Sequence, residues 1–422
     1  MTPNLATKYT CTGCMACVDS CGFSALNGEW ADDGHLYVIF REDRCTGCGN
    51  CEKSCPVVND FSYESEKSTS TPYAAWANDD AIRMKSSSGG IFAAIAYHII
   101  RYGGYVAGAV MDGIKVRHII SNNQGDIARM QGSKYQQGDS TGIYCAVKEK
   151  LKENHLVFFS GVPCQVAGLY SFLGKLGDSD LLLTSDLVCS GFPSSHFLQR
   201  FVKYIYPAVL AGSENPKKIN VSYRNKNEGW EKSQKITVRY CSNDRIGHGT
   251  NECAVVDYAP QNFVFNGFLS GYSARYSCGD CQFTKLNRKA DLTLADFWND
   301  KTFLEEHYKG VSCVVTHSHA GRKILEKVDV TLHAINWKEF LPYNKMVYRK
   351  LPFLKIHPAR RLLAWNFAHL PIEILGKIYG GKIKNSEILW LPYKIFNFIL
   401  WKIGLKIRNK YNNEFLKTML HE

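Results

Sequence analysis

The chain has 422 residues, room for two to three domains. Hydrophobic residues make up 45% and charged residues 21%, the balance of a globular protein, which excludes a disordered, collagen-like or polytopic membrane chain. The net charge of +12 is concentrated at one end: from Arg349 to Glu422 there are 14 Lys and Arg against 4 Asp and Glu, which leaves +2 for the first 348 residues and excludes a nucleic-acid-binding body.

Residues 1–60 form the first expected domain. Met1 to Thr10 lacks the basic-then-apolar run of a secretory signal, so a cytoplasmic setting is expected. Of the 16 cysteines, eight lie between Cys11 and Cys55. Clustered thiols in a reducing compartment read as metal ligands, not as disulfides. They fall into Cys11-x2-Cys14-x2-Cys17-x3-Cys21 and Cys45-x2-Cys48-x2-Cys51-x3-Cys55-Pro56, the bacterial two-cluster ferredoxin run written twice. Three thiolates two residues apart wrap one face of a [4Fe-4S] cubane, and the fourth reaches the other cluster. Cys11, Cys14, Cys17 and Cys55 are therefore expected around one cluster, and Cys45, Cys48, Cys51 and Cys21 around the other. Zinc sites need four ligands but not this interleaving.

Residues 61–72 are rich in Ser and Thr, as a linker is. In residues 73–150, Tyr73-Ala-Ala-Trp76 predicts a strand, Ile91 to Ile100 a helix and Tyr105 to Val110 a second strand. Residues 151–345 alternate short apolar runs with loops, and strands are expected at 156–159, 181–183, 235–240, 291–294 and 311–316. The expected fold class is α/β of the α+β kind: a ferredoxin-like head fused to a mixed-sheet body. Cys164 and Cys189 follow two of these runs, at strand ends where α/β sheets place their chemistry. With Cys278-x2-Cys281 they could supply four thiolates to a third cluster. Equally, Cys164 and Cys189 could be buried small residues, and Cys278/Cys281 a redox dithiol or half a zinc site. Cys145, Cys241, Cys253 and Cys313 lack partners at ligand spacing and are expected to be core thiols. His317 and His319 are expected to be structural or exposed.

Residues 346–422 form a basic tail. Ile388 to Ile403 is interrupted by Pro392 and Lys394, too polar to span a membrane. Phe396, Ile399, Leu400, Ile403 and Ile407 share one helical face, which suits either peripheral contact with an anionic membrane or packing against this protein or a partner. No G-x-G-x-x-G occurs, and the P-loop-like Gly376 to Lys382 is followed by Ile383 instead of Ser or Thr.

Several blocks together resemble the beta subunits of coenzyme F420-reducing hydrogenases and dehydrogenases. They are Lys85-Ser-Ser-Ser-Gly-Gly-Ile-Phe92, Gly132-Ser-Lys-Tyr135, Phe159-Ser-Gly-Val-Pro-Cys-Gln-Val-Ala-Gly-Leu169, Asp186-Leu-Val-Cys-Ser-Gly191, Tyr223-Arg224 with Gly229-Trp230, Arg275 to Cys281, and Arg288 to Trp298. Departures are Ser190 where many relatives have His, Gln137-Gly138, and Ala295 where Gly is usual. The resemblance implies FAD beside an iron–sulfur cluster, and so favours Cys164, Cys189, Cys278 and Cys281 as a third ligand set. It also implies flavin contacts from Ser86, Ser87, Ser88, Gly89, Gly90, Ser133, Lys134, Gly161, Pro163 and Gln165. Ser86 to Gly90 runs into a helix and would cradle the pyrophosphate. The alternative is that Ser88 is an N-cap and the glycines allow close packing. Lys134 would place a cation near the flavin ring, unless it is a solvated surface charge.

The implied function is an iron–sulfur flavoprotein oxidoreductase working between ferredoxin, or another redox protein, and a small-molecule or carbohydrate-linked substrate. Bacterial relatives with this fused head resemble accessories of surface-polysaccharide synthesis. The alternative is a noncatalytic electron-transfer subunit.

Overall fold

The computed structural model describes residues 2–59, 61, 70–205, 219–243, 250–258, 273–286, 288–299 and 301–344, with positions 264, 268, 370, 371 and 374. Most of the linker and nearly all of the basic tail, including the expected amphipathic helix and the P-loop-like run, lie outside the described residues.

The head contains helix α1 (Ala16–Asp19), an antiparallel hairpin of β1 (Leu26–Trp30) and β2 (Leu36–Phe40), and helix α2 (Asn50–Lys53). The body opens with β3 (Thr71–Ala77), α3 (Asp80–Lys85), α4 (Ile91–Arg101), β4 (Tyr105–Asp112) and β5 (Lys115–Ser121). It continues with α5 (Gln124–Met130), β6 (Gly138–Asp139), α6 (Ile143–Lys152), β7 (Val157–Ser160), α7 (Pro163–Leu173), β8 (Leu182–Leu187) and α8 (Ser195–Ile205). Then come β9 (Ile219–Ser222), β10 (Lys235–Asn243) and β11 (Thr250–Tyr258), a separate antiparallel sheet. The last elements are β12 (Leu292–Asp296), α9 (Leu304–His307), β13 (Ser312–Thr316), α10 (His319–Lys327), β14 (Val330–Ala334) and α11 (Trp337–Phe340).

The main sheet has nine strands in the order β14-β3-β13-β12-β8-β7-β4-β5-β6. Its centre, β12-β8-β7-β4, is parallel; β13, β3 and β14 continue it antiparallel on one side, and β5 pairs antiparallel with β4 on the other. Period-2 alternation explains why the central strands read as continuous apolar runs. Val157 and Phe159 pack with α6 and α7, whereas Phe158 faces the opposite layer with α4; Leu182 and Leu183 divide in the same way. Head residues Cys14 and Ala16 belong to the core layer of α6 and α7, so head and body share apolar packing.

Every strand expected in the body is present, with ends displaced by at most four residues. Cys313 is fully buried, as a core thiol should be. Cys145 is only half-buried, with its Sγ 3.3 Å from the Asp19 carbonyl, because it lies where α6 meets the head. Cys241 and Cys253 are on β10 and β11, and their side chains lie outside the described residues. His317 is buried between the Thr293 and Ser70 hydroxyls, each 2.8 Å away, and His319 is exposed.

Candidate functional site

In the head, the duplicated sequence produces duplicated backbone. Gly13 and Gly47, the residues before Cys14 and Cys48, have φ of +70° and +74°. Met15 and Gly49, which precede α1 and α2, have φ of +63° and +71°. These left-handed residues turn each loop tightly just ahead of its short helix. Met15 pays the steric penalty that Gly49 avoids, and its buried side chain packs beside Leu36 around Gly28.

Cys14, Cys17 and Cys55 are buried and Cys11 is half-buried. Burial first, then the neighbouring Cys55 and Cys11, pushes the Cys14 thiol up to about 12. Burial and then Cys14, Cys11, Cys55 and Cys51 hold Cys17 well above the usual thiol range. Cys55 therefore joins the first motif's thiols across the sequence. Burial raises Cys51, which also feels Cys21 from the first motif. Thiols of the two motifs thus lie near one another in the folded head. Thiols held protonated by burial and by each other are those that bound iron would ionise.

In the body, Cys164 lies in the first turn of α7, Cys189 follows β8, and Cys278 is in the 3-10 turn Tyr276–Asp280, three residues before Cys281. All four line one cavity, together with Pro163 and the head residue Thr12. Burial first, followed by Cys281 and Cys189, holds Cys164 well above its ordinary range, and burial with Cys278 brings Cys189 to about 12. Backbone N–H groups already serve this sulfur set: Gly191 donates to Cys189 Sγ and Phe192 to Cys278 Sγ, both at 3.3 Å. Such bonds stabilise thiolate and help to set cluster potentials. Among the described residues no three His, Cys, Asp or Glu converge on a single ion. The thiols instead surround a space, which fits a polynuclear group.

The carboxyl ends of β3, β7, β8 and β12 lie along one sheet edge, with Ser312 at the start of β13 beside them. The Ser86–Gly90 loop belongs to this edge, because Ala77 N donates to Gly89 O at 2.7 Å and Gly89 N to Ser312 Oγ at 2.8 Å. A Cβ on Gly89 would stand 2.3 Å from Ala75 O, so only glycine allows this approach. The helix begins differently from the expectation that Ser88 caps it: Gly90 is the N-cap of α4, with φ of +90°, and Ser88 Oγ donates to Val311 O at 2.7 Å. Ser86 Oγ donates to Ile82 O, closing α3. Of the three hydroxyls, Ser87 alone donates to no acceptor among the described residues. Its oxygen accepts from Ser133 N and Ser133 Oγ at 2.6 and 2.8 Å, bringing Ser133 to the loop.

Gly161, Pro163 and Gln165 lie together after β7, where Gln165 Oε1 accepts from Val162 N at 3.1 Å. Lys134 is half-buried. Its ammonium donates to the carbonyls of Arg129, Met130, Gln131 and Gly132 at 2.6–3.1 Å, capping the carboxyl end of α5. Burial first, and then the nearby Arg129 charge, lowers its pKa to about 7.

Four further side chains complete this edge. Buried Lys226 donates to the carbonyls of Arg83, Ser88 and Lys309 at 2.5–2.7 Å. Trp230 Nε1 donates to Ser87 O at 3.0 Å, and its ring stacks on Trp298 at 4.6 Å. Arg224 pairs with Asp296 at 2.6 Å and donates to Tyr135 Oη at 3.0 Å. Arg224, Trp230 and Trp298 fall in the sequence blocks quoted above, but only the fold shows their partners. Lys226 carries no sequence signal beyond lying between two of those residues.

Residues 10–59 match the 4Fe-4S dicluster domain. Residues 72–141 and 155–336 match the N-terminal and C-terminal parts of the coenzyme F420 hydrogenase/dehydrogenase beta subunit. The chain is 33% identical over 54 residues to ketoisovalerate oxidoreductase subunit VorC of Methanothermobacter marburgensis, a match covering 12% of this chain and 68% of that protein. It also resembles a chain of the F420-reducing [NiFe] hydrogenase complex from Methanosarcina barkeri, with 17% identity, a TM-score of 0.42, and coverage of 69% of this chain and 90% of that one.

Proposed function

The chain belongs to the coenzyme F420 hydrogenase/dehydrogenase beta-subunit family, with a 4Fe-4S dicluster domain at its front, and on that premise we propose that it is an iron–sulfur flavoprotein oxidoreductase working between a ferredoxin-like donor and an organic substrate. The reading rests chiefly on the convergence of Cys164, Cys189, Cys278 and Cys281 on one cavity whose wall includes Thr12 of the head.

Cys11, Cys14, Cys17 and Cys55 would hold one head cluster, Cys45, Cys48, Cys51 and Cys21 the other, and the four body thiols a third. Ser86 to Gly90, Ser133, Gly161, Pro163 and Gln165 would border FAD, with Lys134 supporting the Gly132–Tyr135 turn from beneath. Clusters store single electrons, and a bound flavin exchanges them in pairs as hydride. The protein's own work is placement and charge. Lys226 ties the Ser86–Gly90 loop to the turn before β13, and the Arg224–Asp296 pair fixes Tyr135. The N–H groups of Gly191 and Phe192 favour anionic sulfur. The organic partner would be a small or carbohydrate-linked molecule. No helix among the described residues is long and apolar enough to cross a membrane. We assign the protein to the cytoplasm, with residues 346–422 as its peripheral membrane contact and a role beside surface-polysaccharide synthesis.

A second reading is a noncatalytic electron-transfer subunit. It draws support from VorC, a subunit by name. Anaerobic purification with an iron count and visible spectrum separates the two. The enzyme reading expects about twelve irons per chain, a releasable flavin, and turnover of a small molecule by the isolated chain. About eight irons without flavin, or turnover only after a second polypeptide is added, would establish the subunit reading.

A further inference from the structure

Helix α6 meets the head at its first turn. The Asp19 carboxylate accepts from Gly142 N at 2.6 Å and from Tyr144 N at 3.0 Å, so a head side chain caps a body helix. This anchors Tyr144, which is fully buried. Its hydroxyl donates to the carbonyl of Cys14 at 2.7 Å and lies 3.2 Å from the carbonyl of Gln165. Cys14 belongs to the inner head set, and Gln165 directly follows Cys164. One hydroxyl thus joins the backbones of two thiol sets. Ser140 Oγ donates to the same Cys14 carbonyl at 2.9 Å and fixes it from a second side.

Across this contact, Gly168 lies one helical turn after Cys164 on the same face of α7. A Cβ there would stand 3.1 Å from Cys14 Sγ and 3.2 Å from Tyr144 Oη. The absence of a side chain brings the α7 backbone against the cysteine. By contrast, Cys48 of the other head set is exposed, whereas Cys14, Cys17 and Cys55 are buried.

We propose that Tyr144 and Gly168 are positioning residues of a fixed seam, which holds the Cys11/Cys14/Cys17/Cys55 set against the Cys164 set and leaves the Cys48 set as the outward port. The inference rests on the proposed third cluster and adds the order of the sites and the residues that set their separation. The step served is transfer of one electron, in which one side is oxidised by one and the other reduced by one, with no bond made or broken.

The test uses the full chain purified without oxygen, as wild type, Tyr144→Phe and Gly168→Ala. The phenylalanine keeps the ring and removes only the bridging hydroxyl; the alanine forces α7 and Cys14 apart by a few tenths of an ångström. Iron content is measured first, then the low-temperature electron paramagnetic resonance of the reduced protein, where closely spaced clusters broaden each other, and the rate of internal equilibration after a one-electron pulse. With wild-type iron retained, Gly168→Ala is expected to reduce the broadening, and both variants to slow equilibration several-fold. Full iron with unchanged broadening and rate in both variants would overturn the seam and leave the third cluster standing. A wild-type protein lacking the body cluster would overturn both, and the iron count alone distinguishes that case.

Discussion

Arg275 of the body donates from Nε to the carbonyl of Cys11 in the head at 2.7 Å. The same guanidinium donates from Nη1 to the carbonyl of Leu36 at 2.7 Å and lies over the Tyr37 ring, 4.1 Å from its centroid. Gln137 Oε1 receives Leu36 N at 3.1 Å and Arg275 Nη1 at 3.2 Å, beside the His35 ring. Replacing Arg275 with Met would strip charge-assisted bonds from two carbonyls. The expected cost is about 2–3 kcal/mol, read as a lower urea midpoint with the head becoming the first segment cut by protease. An unchanged midpoint would show that apolar packing alone holds the head.

The paired glycines allow an internally controlled comparison. Gly13→Ala and Gly47→Ala impose the same left-handed backbone on an L-residue, at about 1–2 kcal/mol each. Only Gly13 faces the body: its Cβ would stand 2.4 Å from Gln137 Nε2, whereas Gly47 has nothing within 4 Å. Gly13→Ala should therefore lower thermal stability clearly more than Gly47→Ala. Equal losses would mean that the loops, and not the docking, set the cost.

The two types of body cysteine should separate by metal content. Cys189→Ala is expected to lose about four irons and keep the head's share. Cys313→Ala, in a fully buried thiol whose Sγ lies 3.6 Å from Asn344 Nδ2, should keep all its iron and lose only stability. Equal iron in both variants would remove Cys189 from the ligand set.

Acid should destabilise the body through His317. Burial first, and then the nearby Arg288 charge, lowers its folded pKa to about 3. The unfolded ring titrates at about 6.5, so the unfolded chain binds the extra proton first. The stability is full above about pH 6.5 and is lost as pH falls toward 3. For one such group the loss at pH 5 is about 2 kcal/mol. Denaturant midpoints of wild type and His317→Gln, compared between pH 7 and 5, should converge as the pH falls. A constant gap would show that His317 does not supply the slope.

The parts of this architecture legible in the sequence were those governed by local spacing. Cys-x2-Cys-x2-Cys-x3-Cys specifies its ligands because a short loop has few ways to surround a cubane. The run Val157 to Phe159 reads as a strand because both faces of that strand are buried. Ser88 was misleading because a serine before an apolar helix resembles a cap, whereas Gly90 makes the turn and the Ser88 hydroxyl goes to Val311. Lys134 resembled a free cation, but its acceptors are carbonyls, which sequence cannot aim. Tyr144, Gly168 and Lys226 gave no signal, since each owes its role to a partner far away in the chain.

The cap that Asp19 places on α6 has a practical consequence for modular engineering. A chain cut at the linker would leave that helix with a bare amino end, and Gln137 and Arg275 facing solvent. A foreign ferredoxin spliced ahead of residue 70 would supply electrons from a tether, without the residues that lock this head in register. Head and body are better treated as one inseparable casting than as a plug and its socket.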